Sequence, residues 1–211
     1  MKERAVIIGG SISGLLCATI LSPLFKKVII IERDKIFDPV SPRKGTAQSF
    51  HAHLLLTRGL QGLENLLPGF IQTLKSKGSV STKSSEDWQT MFSKGLMFRF
   101  KSDLFSLNQS RQMLEQTLRE FVMRSYPNLE VLDDATVFDM RLAKHHPPEV
   151  IYSRKQQTGV LEADLLVDCS GRNTKTPMYL EKQGFGVVPR RKIYPYIGYS
   201  TRIFKNVYLE D

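Results

Sequence analysis

Two apolar runs joined through a glycine turn most constrain what this chain can fold into. Ala5-Val6-Ile7-Ile8 leads into Gly9-Gly10-Ser11-Ile12-Ser13-Gly14, and a further apolar stretch runs from Leu15 to Leu21. A second run, Val28-Ile29-Ile30-Ile31, ends in Glu32-Arg33-Asp34. Strand, glycine turn, helix, strand and acid in this order make the βαβ unit of a dinucleotide site. Each part has a physical task. Gly9 permits the tight turn out of the first strand. The turn leaves backbone N–H groups at a helix N-terminus, aimed at a pyrophosphate. Gly14 lets that helix lie close against the sheet. Glu32 follows after about 20 residues, where a carboxylate can accept hydrogen bonds from ribose hydroxyls. The middle glycine of the usual pattern is Ser11, whose hydroxyl can itself reach a phosphate. A turn with no ligand would have no need of an acid at that site.

The same stretch admits a competing reading. Lys2-Glu3-Arg4 precedes an uncharged run from Ala5 to Phe25, which by composition suggests a signal or a membrane span. Gly9, Gly10, Ser11, Ser13 and Gly14 interrupt it early, and Ser22-Pro23 interrupts it late. Small residues at those places suit a turn and a helix end. A β-branched strand follows, not a cleavage site. No other stretch approaches membrane-spanning length, so a soluble, untargeted, cytoplasmic protein is expected.

A chain of 211 residues can bury one core, with room for a small appendage. Its net charge of +9 admits nucleic acid, an anionic membrane surface or an anionic cofactor as partners. The basic residues are scattered, however. Lys26-Lys27 and Arg190-Arg191-Lys192 are short clusters without the aromatic interleaving of RNA-binding segments. No nucleic-acid partner is expected, and a weak membrane-surface association is left open. Cys17 and Cys169 lie far apart in apolar settings and read as small buried hydrophobes in a reducing compartment. No C-x-x-C or His-rich spacing implies a metal.

Further along, Leu56, Leu60, Leu63 and Leu67 mark one face of a helix, ended by Pro68-Gly69. Gly78 to Asp87 reads as a polar loop, and Leu96 to Phe100 and Leu104 to Leu107 as short strands. Ser110 offers an N-cap to a helix from Arg111 to about Ser125, with Leu114, Leu118, Phe121 and Val122 as its buried stripe. Leu129 to Leu132 fits a third parallel strand. Thr136 to Leu142, Val150 to Arg154 and Gly159 to Leu161 read as antiparallel strands. Their links are Lys144 to Pro148, with His145-His146 in a solvated hairpin tip, and Lys155 to Thr158. Asp164 to Asp168 is a strand that runs into Cys169-Ser170-Gly171-Arg172, a small-residue corner where backbone can approach a ligand. A short helix to about Gln183 follows. Lys192 to Val207 reads as a strand.

These segments together resemble one family, the FAD-dependent monooxygenases of the p-hydroxybenzoate hydroxylase type. More closely they resemble a bacterial subgroup of flavin-dependent oxidoreductases and hydroxylases. Gly9-Gly10-Ser11 and Glu32-Arg33-Asp34 match the subgroup's opening. Arg43 to Gln48, then His51-Ala52-His53, then Leu67-Pro68-Gly69 match its next motifs, with Ala47 in place of the usual Pro. Arg111 with Leu114 and Leu118 matches a helix whose Arg lies against FAD in relatives. Asp168 to Arg172 and Thr174 to Pro177 match the last motif with conservative swaps.

The resemblance implies an α/β fold: a Rossmann-like three-layer domain with a parallel sheet and an antiparallel β-meander, plus the start of a substrate-domain sheet. It implies bound FAD, with the adenosine ribose on Glu32 and the neighbouring Arg33 in the site. The pyrophosphate would meet Gly9, Gly10, Ser11 and Gly14, Arg43 or Arg111, and the Ser170-Gly171 corner. NADH or NADPH would donate electrons, and an organic small molecule would be the substrate. No catalytic triad or paired carboxylate is evident. Residues 1–190 are expected to form the FAD-binding domain, with part of the substrate region around 78–108, and 191–211 the first strand of an incomplete substrate domain. Members of the family run to roughly twice this length. The chain therefore reads as truncated, with a further flavin motif expected beyond Asp211 or on a separate chain that supplies the C-terminal half. Alternatives are a flavin-dependent halogenase, disfavoured by the single tryptophan Trp88, a prenyl-lipid reductase, or a truncated Rossmann-like relic without catalysis.

Overall fold

A computed structural model describes residues 2–37, 43, 47–88, 90–143 and 145–202. Strand β1 (Lys2–Ile8), helix α1 (Ile12–Leu21) and strand β2 (Phe25–Ile31) form the opening unit. β1 pairs in parallel with β2 on one side and with β12 (Leu165–Asp168) on the other. β8 (Leu129–Leu132) adds in parallel to β2, which gives the order β12-β1-β2-β8.

Both faces of this sheet are covered, which is why its central strands are apolar without interruption. Ala5, Ile7, Val28 and Ile30 point to one side, where they pack with Leu15 and Ala18 of α1 and with a cluster of helices. That cluster comprises α2 (Thr57–Leu66), α3 (Phe70–Ser76) and α4 (Arg111–Ser125). Val6, Ile8, Ile29 and Ile31 point to the other side and meet Met140, Val150 and Tyr179. The period of two along each strand thus divides one apolar run between two cores. The second core is closed by an antiparallel meander of β9 (Ala135–Ala143), β10 (His146–Arg154) and β11 (Gln157–Glu162), and by α5 (Thr176–Lys182). Helices, parallel sheet and antiparallel sheet make the three layers.

Helix α4 begins as its sequence predicts. The Ser110 hydroxyl accepts from the Met113 N–H at 3.1 Å, and Leu114, Leu118 and Val122 are buried. Phe121 meets Phe70 edge-on, with ring centroids 5.6 Å apart.

Several local expectations change. Leu56 does not extend the face of α2; it ends β3 (Ala52–Leu56) and is exposed. β3 and β4 (Val80–Thr82) both pair with β7 (Ser106–Ser110) in a second antiparallel sheet. The strand expected over Leu104 to Leu107 is therefore displaced, and part of the expected loop after Gly78 is strand. Of the strand expected at Leu96 to Phe100, only a small hairpin of β5 (Met91–Phe92) and β6 (Gly95–Leu96) is regular. Pro147 and Pro148 lie inside β10, at a register irregularity between His146 and Glu149, where missing N–H donors are tolerated. Residues 192–202 form no strand, since none of the described strands pairs with them; Ile203, Phe204 and Val207 lie outside the described residues. Among the described residues, no helix is long and apolar enough to cross a membrane.

Candidate dinucleotide-binding site

The glycine turn is held on two sides by neighbouring strands. The Gly9 N–H donates to the Ile31 carbonyl at 2.8 Å, and the Cys169 N–H donates to the Ile8 carbonyl at 2.7 Å. Gly9 has φ +99°, and a Cβ there would lie 2.5 Å from the Cys169 carbonyl oxygen. A Cβ on Gly14 would run into the Gly9 carbonyl oxygen. Both positions therefore need glycine, one for its conformation and one for the close approach of α1 to the turn. The Cys169-Ser170 backbone lies against Gly9, so the second sequence motif is brought to the first.

Glu32 is 4% exposed at the end of β2. One carboxylate oxygen accepts from the Gly10 N–H at 2.7 Å and the other from the Asp34 N–H at 2.9 Å. Arg43 faces it, with Nη2 2.7 Å from Glu32 Oε2 and Nε 3.3 Å from Asp34 Oδ2. The remaining Arg43 nitrogen contacts Glu115 Oε1. Glu115, itself 3% exposed on α4, accepts from the Ser11 hydroxyl through Oε2 at 2.7 Å. Arg111 donates to that hydroxyl at 3.1 Å and lies 3.6 Å from Glu115. Arg119, one turn after Glu115, donates to the Ile36 carbonyl.

Three acids and three arginines are thus gathered at one place, and loss of any one member would leave a buried charge uncompensated. Burial, and then the charge of Arg43, lowers the pKa of both Arg111 and Arg119. Beside them, burial and then Arg111 lower that of His53.

Of the residues singled out in the sequence, Gly9, Gly10, Ser11, Gly14, Glu32, Arg43 and Arg111 converge, with Ser170 beside Gly9. Gly171 has φ +85° on the exposed corner. Arg33 is exposed and makes none of these contacts. Glu115 and Arg119 join the site without belonging to any of its sequence motifs. Their signal is the i, i+4, i+8 spacing of Arg111, Glu115 and Arg119 along one face of α4. Cys17 and Cys169, distant in sequence, have sulfurs 3.7 Å apart. Burial, and then Cys17, push the Cys169 thiol up to about 12.

The arrangement suits an anionic dinucleotide. The Nε atoms of Arg111 and Arg119 are buried without a hydrogen-bond partner, and both residues line the adjoining cleft. Both glycines that shape the turn stand where any Cβ would clash. The adjoining cleft, lined by Arg43, Arg111, Glu115, Arg119 and Ile36, measures about 220 Å³. That is below the ~300–1,000 Å³ of small-molecule sites, so it takes part of an extended ligand only.

A search of protein families finds no match. Protein Rv3254 of Mycobacterium tuberculosis is 27% identical over 206 residues, which cover 87% of this chain and 41% of that protein. Among solved structures, p-nitrophenol 4-monooxygenase PnpA from Pseudomonas putida superposes with a TM-score of 0.63 at 16% identity, over 85% of this chain and 43% of that one. PqsL, a probable FAD-dependent monooxygenase from Pseudomonas aeruginosa, gives 0.63 at 17% identity over 92% and 48%. CmlS, a flavin-dependent halogenase, gives 0.59 at 20% identity over 81% and 30%. The fold is that of flavin-dependent monooxygenases. The chain spans less than half the length of these proteins.

Proposed function

We propose that this chain is the FAD-binding portion of a flavin-dependent monooxygenase of the hydroxylase type, or of a related oxidoreductase, acting on an organic small molecule. The observation that carries the reading is the buried Glu32 carboxylate, fixed by the Gly10 and Asp34 N–H groups and paired with Arg43. Glu32 would take the adenosine ribose. The Gly9–Gly14 turn, Ser11, Arg43, Arg111 and the Ser170-Gly171 corner would hold the pyrophosphate. Bound FAD supplies electron transfer and reaction with O₂; the chain supplies orientation and charge compensation. NADH or NADPH is the proposed reductant.

Residues 1–190 are proposed as the FAD-binding domain. Around 78–108, Trp88, Met91, Phe92, Phe98 and Leu104 are exposed, as are Ile193, Tyr196 and Tyr199 in the terminal stretch. Such apolar surface suits packing against a substrate domain, in the same or a separate polypeptide. The free cysteines suit a reducing, cytoplasmic setting. The shared fold with CmlS keeps a halogenase as the second reading, against which stands Trp88 as the only tryptophan.

Titration of the purified chain with FAD tests the reading. Retention of flavin absorbance after gel filtration is expected, and colourless protein that retains no FAD overturns it. Substrate-stimulated oxidation of NADH or NADPH by the assembled enzyme then separates a hydroxylase from a binding module.

A further inference from the structure

Glu115 stands where an anion belongs. Its carboxylate takes the Ser11 hydroxyl at the N-terminus of α1, contacts Arg43 and lies 3.6 Å from Arg111. Those are the side chains proposed above to meet a pyrophosphate. Ser11 is the N-cap of α1, yet its side chain makes no cap hydrogen bond; the hydroxyl is turned to Glu115 instead. With Glu32, Asp34 and Glu115 set against Arg43, Arg111 and Arg119, the cluster is already neutral. A dianionic pyrophosphate can claim the arginines only in competition with a carboxylate that is 3% exposed and cannot be screened by water.

We propose that Glu115 is a built-in surrogate for the cofactor's phosphates. It neutralises Arg43 and Arg111 in the apoprotein, stabilising the folded chain, and it opposes the phosphates when the cofactor enters. The inference rests on the FAD reading of the site. It makes Glu115 a positioning residue that sets cofactor affinity, with opposite effects on apoprotein stability and on binding.

The test uses Glu115→Gln, which keeps an oxygen acceptor for Ser11 and removes the charge. Binding of FAD, ADP, riboflavin and adenosine to the apoprotein is measured by calorimetry, and the apoprotein's Tm by thermal denaturation. FAD and ADP are expected to bind roughly tenfold tighter or better than to the wild type. Riboflavin and adenosine, which lack phosphates, are expected to bind unchanged, and the Tm is expected to fall. Equal or weaker ADP binding overturns the inference, as does equal tightening for adenosine. If the wild type binds neither FAD nor ADP, the reading of the site itself fails. Should Glu115→Gln not fold, Glu115→Asp withdraws the charge by one methylene, and a smaller gain confined to FAD and ADP is expected; no gain overturns the inference.

Discussion

A β-carbon on Gly14 would run into the carbonyl oxygen of Gly9. Helix α1 therefore approaches the turn as closely as backbone can, and Gly14→Ala must push the helix off the sheet. A loss of about 3 kcal/mol in stability is expected by denaturant unfolding, together with loss of FAD binding. Gly59 and Gly62 are the controls, since both lie inside α2 and a methyl added at either would have nothing within 4 Å. Alanine at either should raise stability by about 0.5–1 kcal/mol.

Glu32→Gln keeps the shape of the side chain and removes the charge that faces Arg43 at 2.7 Å. Adenosine affinity is expected to fall roughly tenfold or more, as for lost hydrogen bonds to a charged group. Calorimetry with adenosine alone isolates the ribose from the phosphates, and unaltered affinity would place the ribose elsewhere.

The pH dependence of folding follows from His53. Burial, and then Arg111, lower its folded pKa below 6.5. Below that pH the unfolded chain binds the proton first, so this contribution to stability is complete above pH 6.5 and is lost as the pH falls through the folded value. His53→Gln should flatten the decline of Tm between neutral and mildly acidic pH. An identical slope in both proteins would remove His53 from the account.

The turn between β10 and β11 puts Lys155 at φ +49° and Gln156 at φ +63°. Two left-handed residues make the type I′ hairpin that matches strand twist, but neither residue type favours it. Gln156→Gly is expected to add about 0.5–1 kcal/mol by relieving left-handed strain, read as a rise in Tm without change in FAD binding.

What the sequence disclosed was local. The Gly9–Gly14 turn, the Ser110 cap and the meander from Ala135 to Glu162 are set by turn chemistry and periodicity within a few residues. The strand at Ala52–Leu56 carries no local signal because it pairs with Ser106–Ser110, and Leu56 continues a helical spacing. Val80–Thr82 depends on the same partner. Glu115 is hidden for another reason. A charged residue on a helix normally faces water, whereas the fold encloses this one between α1 and Arg43. Arg33 is the reverse case: adjacent to Glu32 in sequence, it is exposed just past the end of β2.

Strand β1 lies between β2 and β12, and the Asp164 carboxylate beside β12 accepts from the Glu3 N–H across 161 positions of sequence. β1 thus leaves the ribosome well before β12, its second neighbour in the sheet. Until β12 is synthesised, β1 offers an open edge and the Gly9 turn lacks the Cys169 backbone against it. Such non-local closure slows folding and leaves an aggregation-prone edge exposed meanwhile. Yield in a host cell should therefore respond to slower translation, lower temperature or chaperone supply.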